Sequence, residues 1–313
     1  MADPTKKKVD EATGTSTMGH EWDGIEELDT PLPRWWLWTF YATIVFAIGY
    51  VVAYPALPMM HDYTRGLLGW SSRGSLDKEL AAQEARMAPI RKAIAATDIT
   101  ALPGNAQLMQ AAIEGGRATF KVHCVQCHGS GAAGSTGYPN LNDDDWLWGG
   151  DLKTIETTIT HGIRNPGHAE TRVSMMPAFG RDQLLQRAQV DDVVAYVRAI
   201  SHQDKAGAAA RRGAQVFADN CAVCHGPQGM GGRTVGAPKL TDGIWLYGGD
   251  AQNIRQTVWN SHQGVMPRWD DKLDTATIRM LAAYVHGLGG GEATPVAVAV
   301  ADASAAAGNN AKP

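Results

Sequence analysis

The chain has 313 residues, a formal net charge of −4 and an apolar share of 44%. That length allows about two domains with accessory segments, and the mildly acidic balance offers nothing to nucleic acid. The apolar residues are unevenly placed, and the four cysteines fall into two short motifs.

Residues 1–34 are polar, and their acidic residues and prolines (Pro31, Pro33) oppose a long helix. From Trp35 to Tyr54 there follows a run of twenty residues without a charge. As a helix rising about 1.5 Å per residue it spans roughly 30 Å, one bilayer core. Trp35, Trp36 and Trp38 at one end, and Tyr50 and Tyr54 at the other, suit the two membrane interfaces. A cleaved signal peptide would have a short basic leader and a shorter apolar core. Here the leader is long and acidic, and no small-residue cleavage site precedes Pro55. The spacing therefore predicts a retained transmembrane helix over 35–54.

Residues 55–107 read as a connector. Leu76, Leu80, Met87, Ile90 and Ile94 recur at helical spacing and predict a packing face, with Pro89 expected to kink or interrupt the helix.

Next comes Cys124-Val125-Gln126-Cys127-His128, and later Cys221-Ala222-Val223-Cys224-His225. C-x-x-C-H is the c-type haem attachment pattern. One helical turn holds both thiols against one haem edge, where each forms a thioether, and the adjacent histidine falls beneath the iron as an axial ligand. A zinc site would need paired thiolates at closer spacing. A thioredoxin-like site would need a βαβ setting. A disulfide would not explain histidine at the same offset twice. The pattern predicts two covalent haem c groups per chain. Thioether attachment takes place outside the cytoplasmic membrane in bacteria, so everything after Tyr54 is expected in the periplasm of an inner-membrane protein with a cytoplasmic N-terminus. The basic residues flanking the apolar run do not settle the orientation by themselves.

The two motifs head an internal repeat. Gly116, Phe120 and Cys124 are echoed by Gly213, Phe217 and Cys221. Pro139-Asn140-Leu141 is echoed by Pro238-Lys239-Leu240, Trp146-Leu147-Trp148-Gly149-Gly150-Asp151 by Trp245-Leu246-Tyr247-Gly248-Gly249-Asp250, and Met176-Pro177 by Met266-Pro267. The repeat predicts two domains, 108–203 and 206–289. Each ends in an amphipathic helix, one carrying Val190, Val193, Val194, Val197 and Ile200, the other Ile278, Leu281, Ala282, Val285 and Leu288. Residues 290–313 have too little to bury and are expected to form a disordered tail.

A low-spin transfer haem needs a second axial ligand, and methionine sulfur favours ferrous iron and raises the potential. Both Met-Pro pairs lie between a haem motif and a last helix. The repeat order assigns Met176 to the first haem, with the adjacent Met175 as an alternative, and Met266 to the second. His161, His168 and His262 are rival ligands, but none repeats at a matching position, so each is expected in solvent or bonded to backbone. Trp146, Trp148, Trp245 and Tyr247 either wall the haem crevices or simply pack. Arg164 and Arg172 are candidate propionate partners.

Each repeat resembles the small class I cytochrome c domain. The resemblance implies an all-α fold in which the helix before each haem motif crosses the last helix of its own repeat. Phe120 would then meet Val193 and Tyr196, and Phe217 would meet Leu281 and Tyr284. His20-x-Trp22-Asp23-Gly24-Ile25, Pro31-x-Pro33-x-Trp35-Trp36, one anchor and two such domains also resemble the dihaem subunit (CcoP or FixP) of cbb3-type cytochrome c oxidases, from residue 19 to 289. That resemblance implies electron transfer from a donor cytochrome c towards a catalytic haem–copper subunit that reduces oxygen and pumps protons, with a mono-haem cytochrome c subunit as a further partner. It implies no oxygen-reducing site in this chain. A dihaem peroxidase, which would need a haem able to open a coordination position, and a freestanding membrane shuttle are the competing readings.

Overall fold

Arg34–Ala53 forms helix α1, starting after Pro33 and ending at the extended Tyr54, which the following Pro55 holds out of helical geometry. No residue of α1 is buried, and it is long and apolar enough to cross a bilayer. Trp36 stacks on Phe40 (centroids 5.3 Å apart) and Tyr50 on Tyr54 (4.8 Å), lining the two ends with aromatic surface. The structure, a computed structural model, describes residues 8–293. The expected tail therefore lies outside the described residues from 294 on.

Before α1 stands an element that the sequence did not announce. Strands β1 (Thr17–Trp22) and β2 (Ile25–Leu28) form an antiparallel hairpin with Trp22 opposite Ile25. The turn is made by Asp23 and Gly24, both at positive φ, as a tight two-residue hairpin requires. Trp22 and Ile25 are largely exposed.

The chain divides into two compact units near Arg86. Helix α2 (Ser72–Ala96) runs through Pro89 without a break, contrary to the interruption allowed for above. Proline forfeits one backbone hydrogen bond there, but the turns beyond it are anchored: Ile94 is fully buried and Ile90 packs beside it. Leu76 and Leu80, in the other half of the stripe, remain exposed.

After a short 3-10 helix (Ile99–Gly104), the second unit contains α3 (Ala106–His123), α4 (Val125–His128), α5 (Leu152–His161), α6 (Arg187–Ile200), α7 (Ala208–Asn220), α8 (Ala222–His225), α9 (Ala251–Asn260) and α10 (Thr275–His286). Its core has two clusters. One gathers Ile94, Ile99, Leu102, Ala112, Phe120 and Ile155 with Ile278, Leu281 and Val285. The other gathers Val190, Val193, Val194, Val197, Phe217, Cys221, Ile254 and Val258.

These clusters overturn the expected pairing of helices. Helix α3 packs on α10, the last helix of the second repeat, and α6 packs on α7. Phe120 lies 5.3 Å from Tyr284, and Phe217 lies 5.1 Å from Tyr196, between ring centroids. A Cβ on Gly116 would collide with the Met280 carbonyl, and one on Gly213 with the Asp192 carbonyl, so glycine alone lets these backbones cross so closely. The physical reason is linkage. Residues 201–207 join α6 to α7 so briefly that the two amphipathic faces meet first, at small loop-closure cost. Arg212 then reaches Asp192 with two hydrogen bonds of 2.8 and 2.6 Å. Helix α10 is left to close over α3 and α5. There Arg279 binds Glu156 at 2.8 Å and the carbonyls of Ala95 and Thr97 at 2.7 and 2.6 Å.

The sequence repeats 108–203 and 206–289 therefore do not coincide with the packed bundles. A continuous bundle comprises α6 to α9. A split bundle comprises α3, α4, α5 and α10, with the continuous one inserted into its chain. Residues 290–292, assigned to the tail above, are docked. The Trp146 Nε1–H donates to the Gly290 carbonyl (2.6 Å), the Gly150 N–H donates to Glu292 Oε2 (2.7 Å), and Arg233 pairs with Glu292.

Candidate haem sites

The two cysteine motifs have the same local build. Helix α3 ends at Cys124 and α7 at Cys221, and a single turn, α4 or α8, carries the chain to the histidine. The His128 N–H donates to the Cys124 carbonyl, and the His225 N–H to the Cys221 carbonyl, at 2.9 Å each. Gly129 and Gly226, at φ 78° and 76°, then reverse the chain. It returns so that the Pro139 carbonyl lies 3.1 Å from His128 Nδ1 and the Pro238 carbonyl 2.9 Å from His225 Nδ1. A carbonyl only accepts, so Nδ1 carries the proton and Nε2 keeps its lone pair, the state an iron ligand requires. Burial pulls both imidazole pKa values down, against a smaller upward pull from the proline carbonyl, which keeps the rings neutral. The repeated prolines thus have a role that their echo in the sequence signalled without explaining.

No disulfide links the four cysteines. Burial, with a smaller contribution from the partner thiol, pushes Cys124 and Cys221 up to about 11. Cys124 and Val125 pack on the split bundle's core, and Cys221 and Ala222 on that of the continuous bundle. Two thiols and one neutral imidazole on a single turn beside an apolar core fit covalent haem c in both places.

The methionines are where repeat order and structure part. Met266 packs on the cluster that holds Cys124, and Met176 on the cluster that holds Cys221. By packing, Met176 thus lies with the second motif and Met266 with the first, the opposite of the repeat order and in line with the exchange that pairs α3 with α10. Met266 is held by two backbone hydrogen bonds with Ile163, of 2.9 and 3.0 Å, and the Ser261 hydroxyl donates to the Met176 carbonyl at 2.7 Å. Met175 is 59% exposed, whereas Met176 faces the core.

The other candidates make the following contacts within the protein. Trp146 spends its N–H on Gly290. Trp148 lies against Gly236 with the Arg172 guanidinium 5.3 Å above its ring. Trp245 packs on the continuous bundle, and Tyr247 stacks on His262 at 4.0 Å. His161 and His168 bond to each other (Nδ1 to Nε2, 3.0 Å), with Glu170 3.1 Å from His161 and Arg268 3.2 Å from His168, rather than to solvent or backbone. An arginine only donates, so His168 Nδ1 accepts and its Nε2–H points at His161. Arg172 binds the Thr158 hydroxyl, and Arg164 binds two carbonyls. Ser261 and Ile163 were missed in the sequence because their contributions are made by a hydroxyl and a backbone edge, neither of which leaves a spacing signature.

Known families and relatives match most of the chain. A family described as the N-terminal domain of cytochrome oxidase-cbb3, FixP, matches residues 14–61. The family described as cytochrome c oxidase, cbb3-type, subunit III, matches 111–197 and again 208–285. The chain is 55% identical over 289 residues to the cbb3-type cytochrome c oxidase subunit CcoP of Cereibacter sphaeroides, covering 92% of this chain and 99% of that one. It is 49% identical over 292 residues to subunit FixP of Rhizobium meliloti (93% and 100%) and 49% identical over 297 residues to CcoP of Rhodobacter capsulatus (92% and 98%).

Proposed function

Since this chain belongs to the CcoP/FixP family of cbb3-type cytochrome c oxidase subunits, we propose that it is the membrane-anchored electron-entry subunit of such an oxidase, with two covalent haem c groups. Cys124 and Cys127 hold one, with His128 and Met266 as axial ligands. Cys221 and Cys224 hold the other, with His225 and Met176. The haem supplies reversible one-electron chemistry when bound. The protein supplies the rest. The proline carbonyls orient the imidazoles, the apolar clusters keep water from the iron side, and the methionine sulfurs favour the ferrous state. A haem held by both a histidine and a methionine would offer oxygen no open position, so reduction of oxygen belongs to a catalytic haem–copper subunit.

The N-terminus lies in the cytoplasm and both bundles in the periplasm of the bacterial inner membrane. A donor cytochrome c delivers electrons there, and a mono-haem cytochrome c subunit is a further partner. The thioether chemistry of the two motifs supports this orientation.

The observation that carries the ligand reading is the packing of Met266 with Cys124 and of Met176 with Cys221. Single-haem chains test it. In a chain with Cys124→Ala and Cys127→Ala, the remaining haem should lose its methionine–iron charge-transfer band on Met176→Ala and keep it on Met266→Ala. In a chain with Cys221→Ala and Cys224→Ala the dependence should invert. The opposite pattern would restore the pairing by repeat order. Purification in mild detergent tests the assembly: the chain should emerge with b-type haem and copper, whereas a shuttle would emerge alone.

A further inference from the structure

We propose that Arg164 is the positioning residue shared by both axial methionines, a single clasp where the two exchanged segments cross. The inference rests on the ligand reading above. Two stretches of chain lead to the methionines: 172–176, which ends at Met176, and 261–266, which ends at Met266. Arg164 touches both. Its Nε–H donates to the Gly264 carbonyl at 2.7 Å, and its Nη1–H donates to the Ser174 carbonyl at 2.9 Å. Each of these carbonyls stands two residues before a methionine, at corresponding positions in the two stretches.

The backbone around Arg164 is tied to the same stretches. Its N–H donates to the Arg172 carbonyl at 2.8 Å, and Ile163 beside it exchanges hydrogen bonds with Met266. Arg164 adopts φ +53°, the left-handed region that a residue with a side chain rarely occupies. Such a conformation persists where the surroundings over-determine it. Here the left-handed turn is what directs the side chain across both stretches while the backbone stays paired with 172.

The side-chain chemistry is specific. The guanidinium is a rigid planar fork with donors in fixed directions, so it sets the separation of two carbonyls. Lysine offers a point charge on a flexible stem and fixes no such separation. Two of its donors, on Nε and Nη1, are spent on the crossing. Loss of the fork frees both stretches at once, and with them both sulfurs. Ser261 provides the contrast, since its hydroxyl holds only the Met176 carbonyl.

The test uses the full chain purified in mild detergent, with the methionine–iron band normalised to covalently bound haem. Arg164→Ala should remove more than half of the total band, beyond one haem's share, and admit carbon monoxide to both reduced haems. Arg164→Lys, which keeps the charge and the stem, should restore the band only in part, and it serves as the readout should Arg164→Ala fail to accumulate. Ser261→Ala should affect only the haem held by Cys221 and Cys224. A full band in Arg164→Lys, or a loss confined to one haem in either Arg164 variant, would overturn the proposal. Met176→Ala and Met266→Ala, with Arg164 intact, must each remove one haem's share. If either leaves the band whole, the ligand reading is what has failed, and the role of Arg164 falls with it.

Discussion

The continuous bundle and the split bundle carry the same motif, the same proline-anchored histidine and the same glycine crossing, but they are assembled differently. In the continuous bundle α6 and α7 are joined by residues 201–207 and pack on each other. In the split bundle α3 waits for α10, with the whole continuous bundle between them in the chain. Contacts between near neighbours close at little entropic cost, whereas distant ones repay a larger loop only once they are made. The continuous bundle is therefore the unit that stands first, and the split bundle is built around it. Two repeats that share the same key positions acquire different dependencies from connectivity alone.

A truncation should break the comparison most sharply. Ending the chain after Leu273 keeps both methionines but removes α10, eight of whose residues are buried. At about 1.5–3 kcal/mol for each large apolar side chain, that loss is comparable to the net stability of a typical domain, about 5–15 kcal/mol. Limited proteolysis followed by haem staining should show the fragment around Cys124 degraded and the fragment around Cys221 protected. If the repeats were the folding units, the second motif would suffer instead.

Substitution at the two crossings should give a smaller and asymmetric effect. Gly116→Val and Gly213→Val each force a side chain into a carbonyl, an overpacking of about 1–3 kcal/mol or more. Hydrogen exchange should show Gly116→Val weakening α3 and α10 only. Gly213→Val should weaken α6 and α7 and then the split bundle that encloses them. Equal and independent losses would show that the insertion has no energetic consequence.

The smallest expected effect is at the start of α10. Partial burial pushes the Asp274 carboxyl up. Hydrogen bonds from the Thr277 hydroxyl and N–H and the ion pair with Arg91 (2.6 Å) outweigh that push, so the group titrates below the usual carboxylate range. A depressed folded-state value means that the contribution is complete above the ordinary carboxylate value and is lost as pH falls through the folded one. Asp274→Ala should cost about 1 kcal/mol, as loss of a helix cap does. The cost should appear in the split bundle near neutral pH and vanish in acid. Equilibrium denaturation at two pH values would read it, and a pH-independent cost would assign the effect to packing.

By itself the sequence determined the features set by a single helical turn or a single apolar run. The motifs at Cys124 and Cys221 are legible because two thioethers and an axial imidazole must come from one helical turn. The anchor is legible because a bilayer needs about twenty apolar residues in a row. The glycines and aromatics of each crossing were legible as faces. Only tertiary structure decided which faces meet. The stripe of Val190, Val193 and Val197 and the stripe of Ile278, Leu281 and Val285 are chemically interchangeable, so periodicity cannot say which of them covers Phe120. The short link from α6 to α7 decided it, and that decision carried Met176 to one core cluster, Met266 to the other, and Arg164 to the place where their chains cross.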